Sequence, residues 1–206
     1  MNAGLSLYDI LVWTFIGFIS GSVPWSLICV KAFSGMDVRS TGDGNPGATN
    51  AWILSGWAVG SISMTLDICK ALIPVWVAIN YYIPSSDQTY PLSLALISMA
   101  PIVGHAYSPV LRLKGGKALA PSWGSWIALT SGVAFPVALI ILGLMHLTQK
   151  NHALTVTICL IGFIVIFAIF GTRSLALFGV LNLMLVIFKH RTEYQKGFVF
   201  RSWVRT

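Results

Sequence analysis

The chain reads as an all-α integral membrane protein with seven transmembrane helices, its N-terminus outside and its C-terminus cytoplasmic. Three observations predict this. Of the 206 residues, 56% are hydrophobic and only 9% charged, with a mean hydropathy of +0.79, whereas soluble domains hold about 25% charged residues. The apolar residues form near-continuous runs, as spanning helices require, not the apolar–polar alternation of barrel strands. Of the 13 lysines and arginines, all but Lys70 gather at the ends of those runs or beyond them, as the positive-inside bias predicts. A chain of 206 residues has room for roughly six or seven helices of about 20 residues and little else. Residues 1–206 are therefore expected to form a single polytopic domain.

The first run is Leu7 to Val30. No Lys or Arg precedes Lys31, so the positive n-region of a cleaved signal is missing and the run is expected to be a retained helix. Lys31 and Arg39 place the loop after it inside. Ala51 to Ile83 forms the second run, and Asp87, without a basic neighbour, marks an outer loop. Pro91 to Val103 returns the chain to the inner side, where Arg112, Lys114 and Lys117 hold the second inner loop. Trp123 to Leu147, Ala153 to Phe170 and Leu175 to Phe188 follow, and then Lys189, Arg191, Lys196, Arg201 and Arg205 keep the tail inside. An even number of segments must connect Lys117 to Lys189, so the run from Trp123 is expected to divide near Pro136, which lacks a backbone donor. A short re-entrant piece satisfies the count equally well. The GxxxG spacings Gly17/Gly21 and Gly56/Gly60 permit close helix approach, although chance in a glycine-rich chain produces them too.

Three polar stretches interrupt this apolar chain: GDGNPGATN (Gly42 to Asn50), GHAYSPVLRLKGGKALA (Gly104 to Ala120) and KHRTEY (Lys189 to Tyr194). In the first, Gly42, Gly44 and Gly47 expose backbone amides, Asn45, Thr49 and Asn50 add donors, and a helix follows. That arrangement suits phosphate oxygens. The literal GxGxxG is no dinucleotide fingerprint without a βαβ unit around it, and no Lys-Ser or Lys-Thr follows to make a Walker loop. In the second stretch, Lys114 and Lys117 bracket Gly115 and Gly116 just before a helix, which places ammonium groups beside amides at a helix N-terminus. His105 stands at the end of the preceding helix. Asp67 and Lys70 share a helical face within an apolar run, where ionisable residues point to function.

Other features exclude chemistry. The +7 net charge lies at span ends and forms no basic stripe on a solvated face, so no nucleic-acid partner is expected. Cys29, Cys69 and Cys159 are isolated in apolar runs and read as small buried hydrophobes, with no CxxC for zinc or a disulfide. His146 and His152, near Lys150, read as solvated, and Arg173 as an anchor. No His-x-x-x-x-Asp occurs: Val110 follows His105 at that spacing, and Gln195 follows His190. Without an obvious base, an enzyme built on these residues needs an activated donor such as a mixed anhydride, and acts by positioning and charge neutralisation.

Taken in order, GSVP (Gly21 to Pro24), DVR (Asp37 to Arg39), GDGNPGATN, LDICKALIPV (Leu66 to Val75), GHAYSPVLRLKGGKALA and KHRTEY resemble the bacterial acyl-phosphate glycerol-3-phosphate acyltransferases of the PlsY type. The match runs in register from about Gly21 to Lys196. The resemblance implies seven helices in the bacterial inner membrane, with the active site facing the cytoplasm. It implies acyl transfer from acyl phosphate to the 1-hydroxyl of glycerol 3-phosphate, giving lysophosphatidic acid. No metal or other cofactor is implied, and a substrate phosphate oxygen serves as base. Carried onto this chain, the glycine-rich turn with Asn45 and Thr49 holds acyl phosphate, Lys117 neutralises phosphate charge and His190 helps bind glycerol 3-phosphate. Asp67 and His105 support the site. The catalytic candidates are Lys117 and His190. The binding candidates are Arg39, Gly42, Gly44, Asn45, Gly47, Thr49, Asn50, His105, Lys114, Gly115 and Gly116.

The chain departs from the family pattern at several of these places. Asp43 replaces a serine, Ile53 an arginine, Ala118 a glycine, Pro121 a threonine, Ala153 a serine and Glu193 an asparagine. Asp43 in particular predicts weakened phosphate binding unless it is protonated, turned away or paired with Arg39 or Lys117. Two other functions fit the same residues: a paralogue that binds or regulates a phosphorylated lipid without acyl transfer, and a small transporter of phosphorylated solutes. A transporter would favour paired broken helices at mid-membrane, whereas these glycines sit at helix ends.

Overall fold

The structure, a computed structural model, describes residues 6–82 and 91–201. Asp87 and Arg205 lie outside the described residues. The helices are α1 (Leu7–Ser22), α2 (Trp25–Ser34), α3 (Ala48–Tyr81), α4 (Pro91–Ala106), α5 (Leu119–Leu129), α6 (Ala134–Thr148), α7 (His152–Phe170) and α8 (Arg173–Lys189). Among the described residues, four stretches are long and apolar enough to cross a membrane: Leu7–Ser34, Ala48–Tyr81, Pro91–Leu111 and His152–Phe170. At 11 residues, α5 reaches only about 16 Å, short of a hydrocarbon core of about 30 Å.

Ser6 begins α1 with a capping box, its hydroxyl taking the Asp9 amide and the Asp9 carboxylate taking the Ser6 amide. The helix then presses against α4. A Cβ on Gly21 would fall 2.0 Å from the carbonyl oxygen of Pro101, so only glycine lets the two backbones meet. Pro24 breaks the helix before α2 and frees carbonyls in an apolar setting. Their partners come from elsewhere in the chain. Ser108 Oγ donates to Ser22 O (2.6 Å) and Lys70 Nζ to Val23 O (2.8 Å), which satisfies backbone that lipid could not.

Inside α3, Gly56 adopts φ 80°, ψ 178°, a conformation open essentially to glycine alone. The chain folds back there, so that a Cβ on Gly60 would lie 2.7 Å from Trp52 Cα. Gly17 and Gly21 thus serve helix approach, while Gly56 makes a turn and has open space around it.

The run from Trp123 divides at Ser131 (φ 49°) and Gly132 (φ 88°), earlier than the expected point near Pro136. Pro136 falls in the first turn of α6, where an amide has no intrahelical acceptor and its loss costs nothing. Four helices, α5 to α8, therefore join Lys117 to Lys189, an even number. Trp126 sits at the centre of their packing, with ring centroids 4.8, 5.4 and 4.9 Å from Phe163, Phe167 and Phe178. Its Nε1 donates to Asn182 Oδ1 (3.1 Å), and Asn182 Nδ2 donates to Ser122 Oγ (2.7 Å). Indole, amide and hydroxyl are all buried and all paired, as a dry interior requires.

Candidate active site

The turn from Gly42 to Gly47 caps α3. Gly42 takes φ 58° and Gly44 φ 71°, the left-handed region that glycine enters without penalty. Asn50, buried in the first turn of α3, ties the turn together. Its Nδ2 donates to Thr41 O (3.0 Å), Asn45 O (2.9 Å) and Asp43 Oδ1 (3.0 Å). Asp43 Oδ1 also accepts the Asn45 amide (3.1 Å). The Asp43 side chain thus braces the turn through one oxygen. Through the other it accepts Lys117 Nζ.

Lys117 precedes α5 and reaches two loops at once. Its ammonium is hydrogen-bonded to Asp43 Oδ2 and to Glu193 Oε1. Glu193 in turn accepts from His190 Nδ1 at 3.1 Å, which assigns the proton to that nitrogen. His190 caps the C-terminus of α8, is buried, and its Nε2 has no hydrogen-bond partner among the described residues. Four side chains from three loops therefore form one chain: Asp43, Lys117, Glu193, His190.

The electrostatics follow from these contacts. The His190 hydrogen bond, opposed by burial and helped by Lys117, holds the Glu193 carboxyl at about 2. Burial works to raise Asp43, but hydrogen bonds from Lys117, the Asn45 amide and Asn50 outweigh it and leave the carboxyl below its ordinary value. Burial likewise works to lower Lys117, yet the two carboxylates raise it above its ordinary value. Arg39 is absent from this group. It forks onto Asp37 (2.6 Å at the closest), holding that carboxyl at about 2, with Arg39 exposed and Asp37 half-buried.

The lysine–glycine pair has a different basis from free amides. The Gly116 amide donates to His105 O (3.0 Å), and a Cβ on Gly116 would lie 2.1 Å from His105 Nε2. A Cβ on Gly115 would meet His105 O at 1.9 Å. Both glycines let the loop pass over His105, which brings Lys117 over the site, while Lys114 is exposed. Ala118, at the start of α5, is fully buried and left-handed at φ 69°. Pro121 stands in the first turn of α5, Ala153 is buried in the first turn of α7, and Thr49 and Ile53 are exposed.

Beneath the loops, Asp67 and Lys70 pair at 2.6 Å, with Ser26 Oγ donating to Asp67 at 3.0 Å and His105 Nδ1 3.8 Å from it. Lys189 Nζ donates to Ala106 O at 2.8 Å and lies over the Tyr107 ring. These contacts fix the second loop against the end of α8. His146 and His152 are exposed, with their rings stacked at 5.8 Å, and Arg201 meets His146 Nε2 at 3.0 Å.

Of the residues singled out from the sequence, the structure links Lys117 to Asn45 and Asn50 through Asp43, and to His190 through Glu193, whereas the sequence reading names neither carboxylate as a candidate. It omits Glu193 from the candidates, although its position three residues after His190 was the available signal. The Asn151 side chain, which donates to Glu193 O (3.1 Å) and Gly197 O (2.9 Å), carried no signal.

The family model for glycerol-3-phosphate acyltransferase matches residues 11–198. A glycerol-3-phosphate acyltransferase of Thermotoga maritima is 32% identical, covering 88% of this chain and 96% of the relative. A second relative, from Desulfovibrio desulfuricans, is 32% identical over 58% of this chain but only about half of its own length (51%). A crystal structure of PlsY, an integral membrane glycerol 3-phosphate acyltransferase in its glycerol 3-phosphate form, superposes with a TM-score of 0.79. It is 25% identical, with 91% of this chain and 90% of that one covered. With the family match covering residues 11–198 and a full-length relative above 30% identity, this chain belongs to the glycerol-3-phosphate acyltransferase family.

Proposed function

We propose that the chain transfers a fatty acyl group from acyl phosphate to the 1-hydroxyl of glycerol 3-phosphate, yielding lysophosphatidic acid and inorganic phosphate for phospholipid synthesis. The observation that carries this reading is the convergence of the glycine turn and the His190 segment on the one ammonium of Lys117. A cation placed between two polar loops suits a reaction in which both reactants carry phosphate. In this reading Asn45, Thr49 and the Gly42 amide hold acyl phosphate, while the Gly44 and Gly47 amides, which donate to Thr41 O (3.1 Å) and Asn45 O (2.8 Å) rather than standing free as the sequence suggests, keep the turn in shape with Asn50. Lys117 neutralises phosphate charge, and His190 positions glycerol 3-phosphate. Lys114 adds local positive potential, Arg39 is neutralised by Asp37, and His105, Gly115 and Gly116 set the height of the lysine loop.

The glycerol oxygen attacks the acyl carbonyl carbon, and the carbon–oxygen bond to phosphate breaks with its electron pair leaving on phosphate. The hydroxyl proton passes to a phosphate oxygen, so no protein base is needed. The protein contributes orientation and charge, effects that reach many powers of ten when the reactants are well aligned.

The same reading places the chain in a bacterial inner membrane as one domain, crossing in seven segments with α1 and α2 counted as one. The N-terminus is outside, and Lys117 and His190 face the cytoplasm. Labelling of cysteines introduced at residues 112–117 from outside only would overturn that orientation.

The decisive assay supplies purified protein with acyl phosphate and glycerol 3-phosphate and follows lysophosphatidic acid and phosphate. Equimolar appearance of both is expected. Folded protein that forms neither product, or forms product only from a thioester donor, would overturn the proposal. One observation favours a second reading, a phosphorylated-lipid binder without acyl transfer: Lys117 already holds two carboxylates. Tight lipid binding with no turnover would establish it.

A further inference from the structure

Most membrane residues with charge in this chain are accounted for by packing. Asp67 and Lys70 neutralise each other, and Lys189 caps a carbonyl. Asp43 and Glu193 are different, because each carboxylate takes up donors of the kind a phosphate needs. Asp43 accepts a backbone amide of a glycine turn, a side-chain amide and an ammonium. That mixture is the usual cradle of a phosphate oxyanion. Glu193 accepts an imidazole N–H and the same ammonium.

We infer that Asp43 and Glu193 are resident anions that occupy, on either side of Lys117, the two seats taken by the substrate phosphates, so that each substrate binds by displacing one carboxylate. The inference rests on the phosphate chemistry proposed above. Three further features support it. The two carboxylates approach Lys117 from different loops, 74 and 76 residues away in sequence, so either can leave without the other. Their side chains keep 48% and 24% exposure, so each has solvent to swing into. Partly exposed ion pairs contribute little to stability, so displacing one is within the reach of a dianionic ligand. Arg39, the other cation near the turn, is occupied by Asp37 and does not relieve the competition.

Asp43 and Glu193 then set substrate affinity, each for its own substrate. Asp43 lies in the seat built from the glycine turn, which the proposed function assigns to acyl phosphate. Glu193 lies in the His190 seat, assigned to glycerol 3-phosphate.

The test uses the full chain in detergent and the variants Asp43→Asn and Glu193→Gln, which remove charge and keep shape, with Asp43→Ser as a second probe of the turn. Thermal melts first establish that each variant is folded. Calorimetric titration with inorganic phosphate should show affinity about tenfold tighter for Asp43→Asn, the scale of one charge-assisted bond regained by the ligand. Glu193→Gln should tighten glycerol 3-phosphate to a similar degree. In steady-state kinetics Asp43→Asn should lower KM chiefly for acyl phosphate and Glu193→Gln chiefly for glycerol 3-phosphate. Unchanged or weaker affinity in every folded variant would overturn the inference and leave the carboxylates as positioning groups for Lys117. Tighter phosphate binding without any acyl transfer would uphold the inference and refute the proposed function. Acyl transfer with unaltered affinities would do the reverse.

Discussion

Lys70 Nζ donates to the carbonyl oxygen of Val23 at 2.8 Å, across 47 residues of sequence, at the point where Pro24 interrupts the first membrane helix. The same ammonium lies 2.6 Å from Asp67 Oδ1. One buried lysine thus fills a broken backbone and neutralises a buried acid.

Lys70→Met should therefore be severe. It strands the Asp67 charge and the Val23 carbonyl together, and breaking a buried pair by removing one partner costs about 3–5 kcal/mol. The double variant Lys70→Met with Asp67→Asn should recover part of that loss, because no charge is stranded. Thermal unfolding in a fixed detergent reads both, and a double variant no more stable than the single one would contradict the pairing.

Lys117→Ala should abolish acyl transfer in a protein that remains folded, while Lys114→Ala, at an exposed position, should be mild. Losing a charged hydrogen-bond partner costs about 1.5–3 kcal/mol, and here two carboxylates would be left facing each other. Comparable small effects from both substitutions would reduce the lysine loop to a membrane anchor.

Ala118 holds a left-handed conformation at φ 69°, which an L-residue adopts at a cost of about 1–2 kcal/mol. Ala118→Gly relieves that strain, partly offset by the entropy glycine brings to the unfolded chain. A net gain of about 0.5–1 kcal/mol is expected, read as a higher melting temperature. A lower one would mean that the buried methyl outweighs the backbone strain.

Two glycine substitutions should differ sharply. Gly21→Ala drives a methyl into the Pro101 carbonyl at 2.0 Å, whereas Gly143→Ala meets nothing within 4 Å. Overpacking costs about 1–3 kcal/mol or more, while alanine in a helix interior gains up to about 1 kcal/mol over glycine. Melting temperatures of the two variants should move in opposite directions.

The acid limb of stability should depend on Glu193. Its carboxyl, held at about 2 in the folded chain from an ordinary value of 4.5, contributes stability fully present above pH 4.5 and lost as pH falls toward 2. Asp43, also lowered, acts in the same sense. Lys117, raised above its ordinary 10.5, contributes below that value and loses its contribution at more alkaline pH. Melting temperatures compared at pH 6 and pH 4 should fall less for Glu193→Gln than for the unmodified chain. Identical slopes would place the acid sensitivity elsewhere.

The helices were legible because lipid leaves a chain few choices: apolar runs become helices and basic residues mark their ends. The division of the Trp123 run was legible from charge parity, but its position was not. Proline draws attention as a helix breaker, whereas here Ser131 and Gly132 make the turn and Pro136 sits harmlessly in the turn that follows. The glycine-rich turn was legible from composition. What lies on Lys117 was partly legible: the Asp43 partnership was one of several possibilities, beside protonation, turning away or pairing with Arg39, and the Glu193 partnership depends on α8 returning to the second loop, a tertiary fact. The Trp126–Asn182 bond left no local trace, since an asparagine in an apolar run does not reveal its partner.

The three-loop origin of the Lys117 cluster also bears on how the protein is made. Synthesis runs from the N-terminus, so Lys117 emerges with Asp43 already present, while Glu193 follows 76 residues later, after α8. Until then the nascent chain holds a half-built centre, with one carboxylate on the ammonium and no His190 beside it. In the proposed function, catalytic competence on the ribosome therefore waits for the insertion of α8, and a chain stalled before that point would be folded in part and chemically silent.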